Sequence, residues 1–401
     1  MKGRTMAYAP PNVADTPSPE EMIARARAFA PKLRERAEAC DRARRVPDVT
    51  IAEFLDQGFH KILQPARYGG YEMGWETQCE VAIEFARACA SQGWVLNVYG
   101  DHVHKIGMCS REVQDEIWGE DPRTLMSTSF APMGKAEKTK DGYSVSGRWS
   151  FSSGIDHAQW LLFGALLPHP ETGAPDHTFF IAPKTEAKIV DDWHVAGLSG
   201  TGSKSFVLDG VFVPPYRTIR DADANNGRGP GVTADSAPVY RFPRRSAALG
   251  LAAVPVGAAF GLLEDFVALA RDRAKRGRRT VSDPATALRI AETASELDAA
   301  RLLLVESARS TMATVARGEA SSLDQRLANR RNSGYAAMLA ARASERLFAA
   351  AGGNAIYQTS RLQRAFRDIH AAANHIGTSW DFSAQPFGEH ALGYPVAADE
   401  I

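Results

Sequence analysis

Cysteine is scarce in this sequence and carries no pattern. Cys40, Cys79, Cys89 and Cys109 are the only four, and none is in a Cys-x-x-Cys spacing. Nothing therefore marks a zinc or dithiol motif, and a chain of 401 residues needs no disulfide staples, so reduced core thiols are expected. Net charge is lacking too. The 47 basic residues equal the 47 acidic ones, leaving no general field to draw nucleic acid or an anionic membrane. No unbroken apolar run of roughly 18 residues is present, so no bilayer-spanning segment is expected. The stretch from Met1 to Asn12 has no apolar core of the signal-peptide kind. No Gly-x-Gly-x-x-Gly follows a strand-like segment, which argues against a nicotinamide site. These absences leave a soluble, cytoplasmic globular protein, with neither nucleic acid nor membrane as partner, as the expectation.

What is present falls into blocks. Ser18-Pro19-Glu20-Glu21 reads as a capped helix start, and Met22, Phe29 and Leu33 then recur at helical spacing. Further short helices are predicted from Asp48 to Gln57 and from Thr77 to Ala90. From Thr124 the pattern changes to short β-branched and aromatic runs punctuated by Gly, Pro, Asp and Ser, as in a β-sandwich or barrel. Asp221 to Pro238 is dense in Gly, Asn, Asp and Pro and reads as a mobile loop. Alanine- and leucine-rich helical segments then run through 244–276, 283–317, 322–351 and 359–376, the pattern of an antiparallel bundle. The predicted division is 1–123 helical, 124–220 β, 221–239 loop, and 240–401 helical bundle and tail.

That order resembles the acyl-CoA dehydrogenase fold: mainly α, with N-terminal helices, a central β domain and a C-terminal four-helix bundle. Local sequence agrees at Gln64-Pro65-Ala66-Arg67-Tyr68-Gly69-Gly70, at Gly197-Leu198-Ser199-Gly200-Thr201-Gly202-Ser203, and at Arg367-Asp368. The dehydrogenases themselves use a carboxylate to abstract a proton. In the ungapped match to their segment, Ile376 falls on the glutamate, and an isoleucine is no base. An acyl-CoA dehydrogenase with its base elsewhere is the alternative. The segment Gly147-Arg148-Trp149-Ser150-Phe151-Ser152-Ser153-Gly154, with Asp156-His157-Ala158, is similar to the oxygenase components of two-component flavin monooxygenases. The p-hydroxyphenylacetate hydroxylase and dibenzothiophene monooxygenase families belong to that group.

The resemblance implies an enzyme that uses reduced FMN or reduced FAD and O2 to form a flavin C4a-hydroperoxide, which oxygenates a small aromatic substrate. A separate NAD(P)H:flavin reductase would supply the flavin, most simply by diffusion. It implies that Ser153 accepts from flavin N5–H and that His375 serves the peroxide as proton donor. Trp149 and Phe151 would lie beside the ring system. Arg273, with Gly352 and Gly353, would reach flavin held between subunits of a homotetramer. His102, predicted to precede a helix, with Thr128 and Ser129 would contact substrate.

Plainer readings stand beside these. Trp149 is core packing or an aromatic wall in equal measure, and His102 is a substrate group or a satisfied structural histidine. Arg273 is a phosphate contact or one member of a solvated basic face with Arg271, Arg276, Arg278 and Arg279. Gly352 and Gly353 are a cofactor approach or a helix C-cap. His370 and His375 are five apart on what reads as one helix, about 140° around it, so they cannot share a face. The His102–His104 pair lacks a carboxylate to complete a metal site, and no metal is expected.

Overall fold

The computed structural model describes residues 16–243, 248–275 and 284–397. The chain opens with α1 (Pro19–Ala43), whose Ser18 hydroxyl accepts from the Glu21 N–H at 3.2 Å, the cap that Ser-Pro-Glu-Glu predicts. Next come α2 (Asp48–Asp56), α3 (Trp75–Ala88), α4 (Ala90–Met108) and α5 (Arg111–Trp118). The helix expected over 77–90 is α3, which ends at Ala88, and α4, which was not expected, follows after Cys89. In the Gln64–Gly70 turn, Tyr68 donates to the Asp115 carboxylate at 2.5 Å and packs on Trp118, tying the turn to α5.

The β domain comprises β1 (Met126–Lys138), β2 (Tyr143–Trp149), β3 (Trp160–Pro168), β4 (Pro175–Pro183), β5 (Lys188–Val190), β6 (Ser205–Val213) and β7 (Thr218–Arg220). They form one ladder in the order β5-β6-β2-β1-β3-β4-β7. β1 pairs parallel with β3 and antiparallel with β2, and its register shifts between Ser129 and Gly134. That break lets a single strand serve two halves of the sheet, which close over Trp149, Phe163, Phe180, Phe206 and their neighbours.

The 221–239 segment, expected as a loop, starts as the short helix α6 (Asp221–Asn225) and docks on the end of α4. There the Gly231 N–H meets Met108 O at 2.9 Å, and Val239 and Tyr240 are buried. The bundle follows as α7 (Leu249–Lys275), α8 (Pro284–Ala316), α9 (Leu323–Ala351) and α10 (Arg361–Ala373), with α11 (Trp380–Ala391) packed on α9. An 18-residue window of α7 averages a mean hydropathy of 1.6, as in a membrane span. Its position explains this: α7 is the bundle's central helix, packed on α3, α4, α8, α9 and α10. All four cysteines are free and buried.

Candidate active site

Where α4, β1, the turn after β2 and the end of α10 converge, they enclose a cavity of about 340 Å³. Its walls include Trp94, Val98, Asp101 and His102 from α4, and Thr128 to Ala131 from β1. Ser150, Phe151 and Ser153 come from the turn, Leu251 from α7, and Asn374 to Ile376 from beyond α10. A wider opening of about 680 Å³ adjoins it, sharing Phe130, Leu251, His375 and Ile376, with α11 and residues 395–397 on its far side.

The turn from Ser150 to Gly154 is held from every side. Ser129 donates to Ser150 O at 2.6 Å, Ser127 donates to Ser153 O at 2.8 Å, and the Gly154 N–H reaches Thr201 O at 3.0 Å. Tyr99 donates to Gly154 O from α4. Within this frame Phe151 has a φ of +63°, a left-handed conformation costly for a bulky residue, and is 73% exposed at the cavity. Its ring meets Trp193 edge-on at 5.7 Å. Ser153 is nearly buried, and its Oγ accepts from the Trp94 indole N–H at 3.1 Å and lies 2.7 Å from Ser203 Oγ.

His375 does not extend α10. The helix ends at Ala373, and His375 sits in the turn that follows, fixed by Thr378 N–H and Ser379 N–H on His375 O, each at 2.8 Å. The premise that His370 and His375 share one helix is therefore corrected. The Gly377 N–H donates to His375 Nδ1 at 3.0 Å, which leaves the ring proton of the neutral imidazole on Nε2. The ring meets the edge of Trp94 with centroids 5.4 Å apart. His370 faces the bundle instead, 3.3 Å from Ser344 Oγ and packed on Phe366.

His102 lies in the middle of α4, not ahead of a helix as expected. Its Nδ1 is 2.7 Å from Met126 O, and its Nε2 is 2.7 Å from Thr128 Oγ1. A carbonyl can only accept, so Nδ1 carries the proton and Nε2 accepts from the threonine. His102 thus lines the cavity with both ring nitrogens engaged, one by Met126 O and the other by Thr128. His104, two residues on, bonds to Val239 O and packs between Trp75 and Tyr240, in a separate environment. Asp101 and Lys105 are buried on the same helix, with the Lys105 ammonium 4.8 Å from the Phe130 ring centroid.

Trp149 is a correction. Its indole is fully buried in the β-domain core, stacked on Phe206 at 5.4 Å and donating to Gly164 O at 2.8 Å, and it lines no part of the cavity. The aromatic residues that do line it are Trp94, Phe130 and Phe151. Trp94 carries no motif of its own in the sequence. Arg273, Gly352 and Gly353 form a second group elsewhere. Arg273 donates to Ala351 O at the end of α9, beside Gly352 with its φ of +72°. Arg273 is 22 residues along α7 from Leu251, about 33 Å at helical rise. The neighbouring Arg276–Gly277 pair, with Arg278 and Arg279, lies outside the described residues.

The 197–203 segment supports the turn from behind. Asp368 on α10 accepts from the Leu198 N–H at 2.6 Å, and Arg367 donates to Ala196 O. A side chain at Gly197 would place its Cβ 2.3 Å from Arg367 O, so only glycine lets α10 come this close. Burial pushes the Asp368 carboxyl up to about 7, against the pull of the Leu198 N–H.

The donor set fits a reduced flavin. Its faces are apolar, as are most of the cavity walls. Ser153 offers an acceptor of the kind N5–H requires.

Comparison with known proteins gives the same answer. The profile of the acyl-CoA dehydrogenase N-terminal domain matches residues 16–118, and that of its C-terminal domain matches 249–380. The chain is 35% identical over 370 residues to the flavin-dependent monooxygenase oxygenase subunit HsaA of Mycobacterium tuberculosis, covering 91% of this chain and 93% of that one. It is 35% identical over 400 residues to the oxygenase component of the FADH2-dependent resorcinol hydroxylase of Rhizobium sp. strain MTP-10005, covering 97% and 98%. The crystal structure of 3-HSA hydroxylase from Rhodococcus sp. RHA1 superposes with a TM-score of 0.90 at 32% identity, covering 95% of this chain and 99% of that one. With Ile376 where a dehydrogenase base would stand, the chain belongs to the flavin-dependent monooxygenase oxygenase components built on the acyl-CoA dehydrogenase fold.

Proposed function

We propose that the cavity receives the isoalloxazine of reduced FMN or FAD, and that a small phenol-like aromatic substrate is hydroxylated against it. The observation that carries this reading is that Ser153 and His375 both contact the Trp94 indole, in one largely apolar cavity. When bound, the reduced flavin supplies the electrons and activates O2. The chain's residues do the rest. Ser153 Oγ accepts from N5–H and keeps that proton in place. His375 offers Nε2–H as a neutral donor toward the oxygen side, since Nδ1 is occupied by Gly377 N–H. Val98, Phe130 and Leu251 exclude water. Thr128, already donating to His102, keeps its oxygen lone pairs for a substrate hydroxyl.

Arg273, Gly352 and Gly353 are too far along the bundle to touch a flavin in their own cavity, which favours a role toward a neighbouring subunit in a homotetramer. Relatives named as oxygenase subunits or components work with a second component, and a separate flavin reductase is proposed here, linked by diffusion. Anaerobic titration with reduced FMN and FAD, followed by O2 and a panel of phenols, tests the reading. A reductase held behind a dialysis membrane should sustain product formation. Turnover by this chain with NADH and oxidised flavin alone would sink the two-component assignment.

A further inference from the structure

We propose that Thr201 and Ser203 set the redox preference of the site, by fixing which way the Ser153 hydroxyl points. The inference rests on the flavin reading above. Five polar groups form an unbroken chain away from the cavity. The Trp94 indole N–H donates to Ser153 Oγ at 3.1 Å, and Ser153 Oγ lies 2.7 Å from Ser203 Oγ. Ser203 Oγ lies 2.7 Å from Thr201 Oγ1, which donates to Leu198 O at 2.8 Å. All three hydroxyl residues are buried.

The two ends give the chain a direction. An indole N–H can only donate and a carbonyl oxygen can only accept. Thr201 spends its proton on Leu198 O, so it must accept from Ser203. Ser203 must then accept from Ser153. The Ser153 proton is thus turned away from the cavity, and one lone pair is taken by Trp94. Ser153 presents to the cavity a single lone pair and no proton.

Reduced flavin carries a hydrogen on N5, and oxidised flavin carries a lone pair there. An acceptor-only oxygen pairs with the first and opposes the second. The preference for the reduced state therefore comes from the polarity of a hydroxyl chain whose far members never touch the cofactor. Thr201 and Ser203 act as positioning residues.

Removing either residue should release the switch. In Thr201→Val the Ser203 proton has no acceptor behind it and turns onto Ser153, whose own proton then points into the cavity. In Ser203→Ala the Ser153 proton is simply freed. Thr201→Ser keeps the hydroxyl and should behave as wild type. The experiment measures dissociation constants for oxidised FMN and for dithionite-reduced FMN, anaerobically, in wild type and the three variants, with thermal melts to confirm folding. The expected result is a ratio of oxidised to reduced constants about fivefold lower in Thr201→Val and Ser203→Ala, with oxidised FMN binding more tightly. Ser203→Ala, the smaller change, carries the test should Thr201→Val misfold. Folded variants with an unchanged ratio, or with both forms weakened alike, would overturn the proposal while leaving the flavin site intact. Wild type that binds neither redox form of FMN or of FAD would overturn the functional reading and this inference with it; where it binds FAD alone, the same ratio is read with FAD.

Discussion

The Trp94 indole N–H points at the Ser153 hydroxyl oxygen from 3.1 Å, across the floor of the cavity. The same indole packs edge-on against His375. A residue with no acid–base chemistry thereby sets the spacing of the two to which the proton roles are proposed. Ser153→Ala should show both consequences. It leaves the buried Trp94 N–H without an acceptor, costing about 1–2 kcal/mol of stability, and removes the partner of N5–H. Product formed per reduced flavin consumed should fall several-fold. A variant that keeps full coupling would remove Ser153 from the chemistry.

The two histidines near the end of α10 separate cleanly. His375→Asn should slow the oxygen reaction by about 10²-fold while barely changing reduced-flavin affinity, because a donor to the developing charge acts chiefly in the transition state. His370→Asn, facing Ser344 and Phe366, should retain nearly wild-type rates. Stopped-flow traces of both variants decide it, and exchanged phenotypes would refute the assignment.

Trp149→Phe should cost about 1–3 kcal/mol through the lost bond to Gly164 O and a smaller ring in the β-domain core. Flavin affinity should not change. Denaturant melts alongside flavin titration separate the two effects, and weakened flavin binding in a folded variant would return Trp149 to the site.

Asp368 gives a pH dependence. Its carboxyl titrates near 7 in the fold against an ordinary value of 3.8, so the folded state favours the protonated form. The contribution of this group is full below the ordinary carboxylate range and declines as pH rises through about 7. Asp368→Asn keeps an acceptor for the Leu198 N–H and should flatten that decline. Urea midpoints at pH 5, 7 and 8.5 test it: wild type should lose more stability across the series than the variant.

The order of helices, sheet and bundle was legible because surface helices show a 3.6-residue period and the strands are short and β-branched. α4 was not, for a physical reason. Every residue from Ala90 to Met108 is buried, so no polar face reveals a period, and glycines at 93, 100 and 107 mimic loop punctuation. They are there because α3 and Tyr240 press against the helix; a Cβ on Gly93 would lie 2.7 Å from the Ala86 backbone. Losing α4 hid Trp94 and misplaced His102. Trp149 could have been placed correctly, since strand alternation puts it on the inward face with Val145, both fully buried. Ser153 and His375, picked out because their neighbours form a recognisable segment, both fall on the cavity wall. The partners that orient them, Ser203 and Gly377, are brought in by the fold.

The broken register of β1 bears on how such an enzyme changes over time. Phe130 and Ala131 fall in the interval where β1 and β3 lose register, and both line the cavity. The opposite wall, from Ser150 to Gly154, is laced to β1, α4 and the 197–203 turn by hydrogen bonds at nearly every residue. A substitution in the first wall alters the shape of the chamber without unzipping a ladder, whereas one in the second unravels several bonds together. The chamber's appetite can drift while its oxidising chemistry stays put.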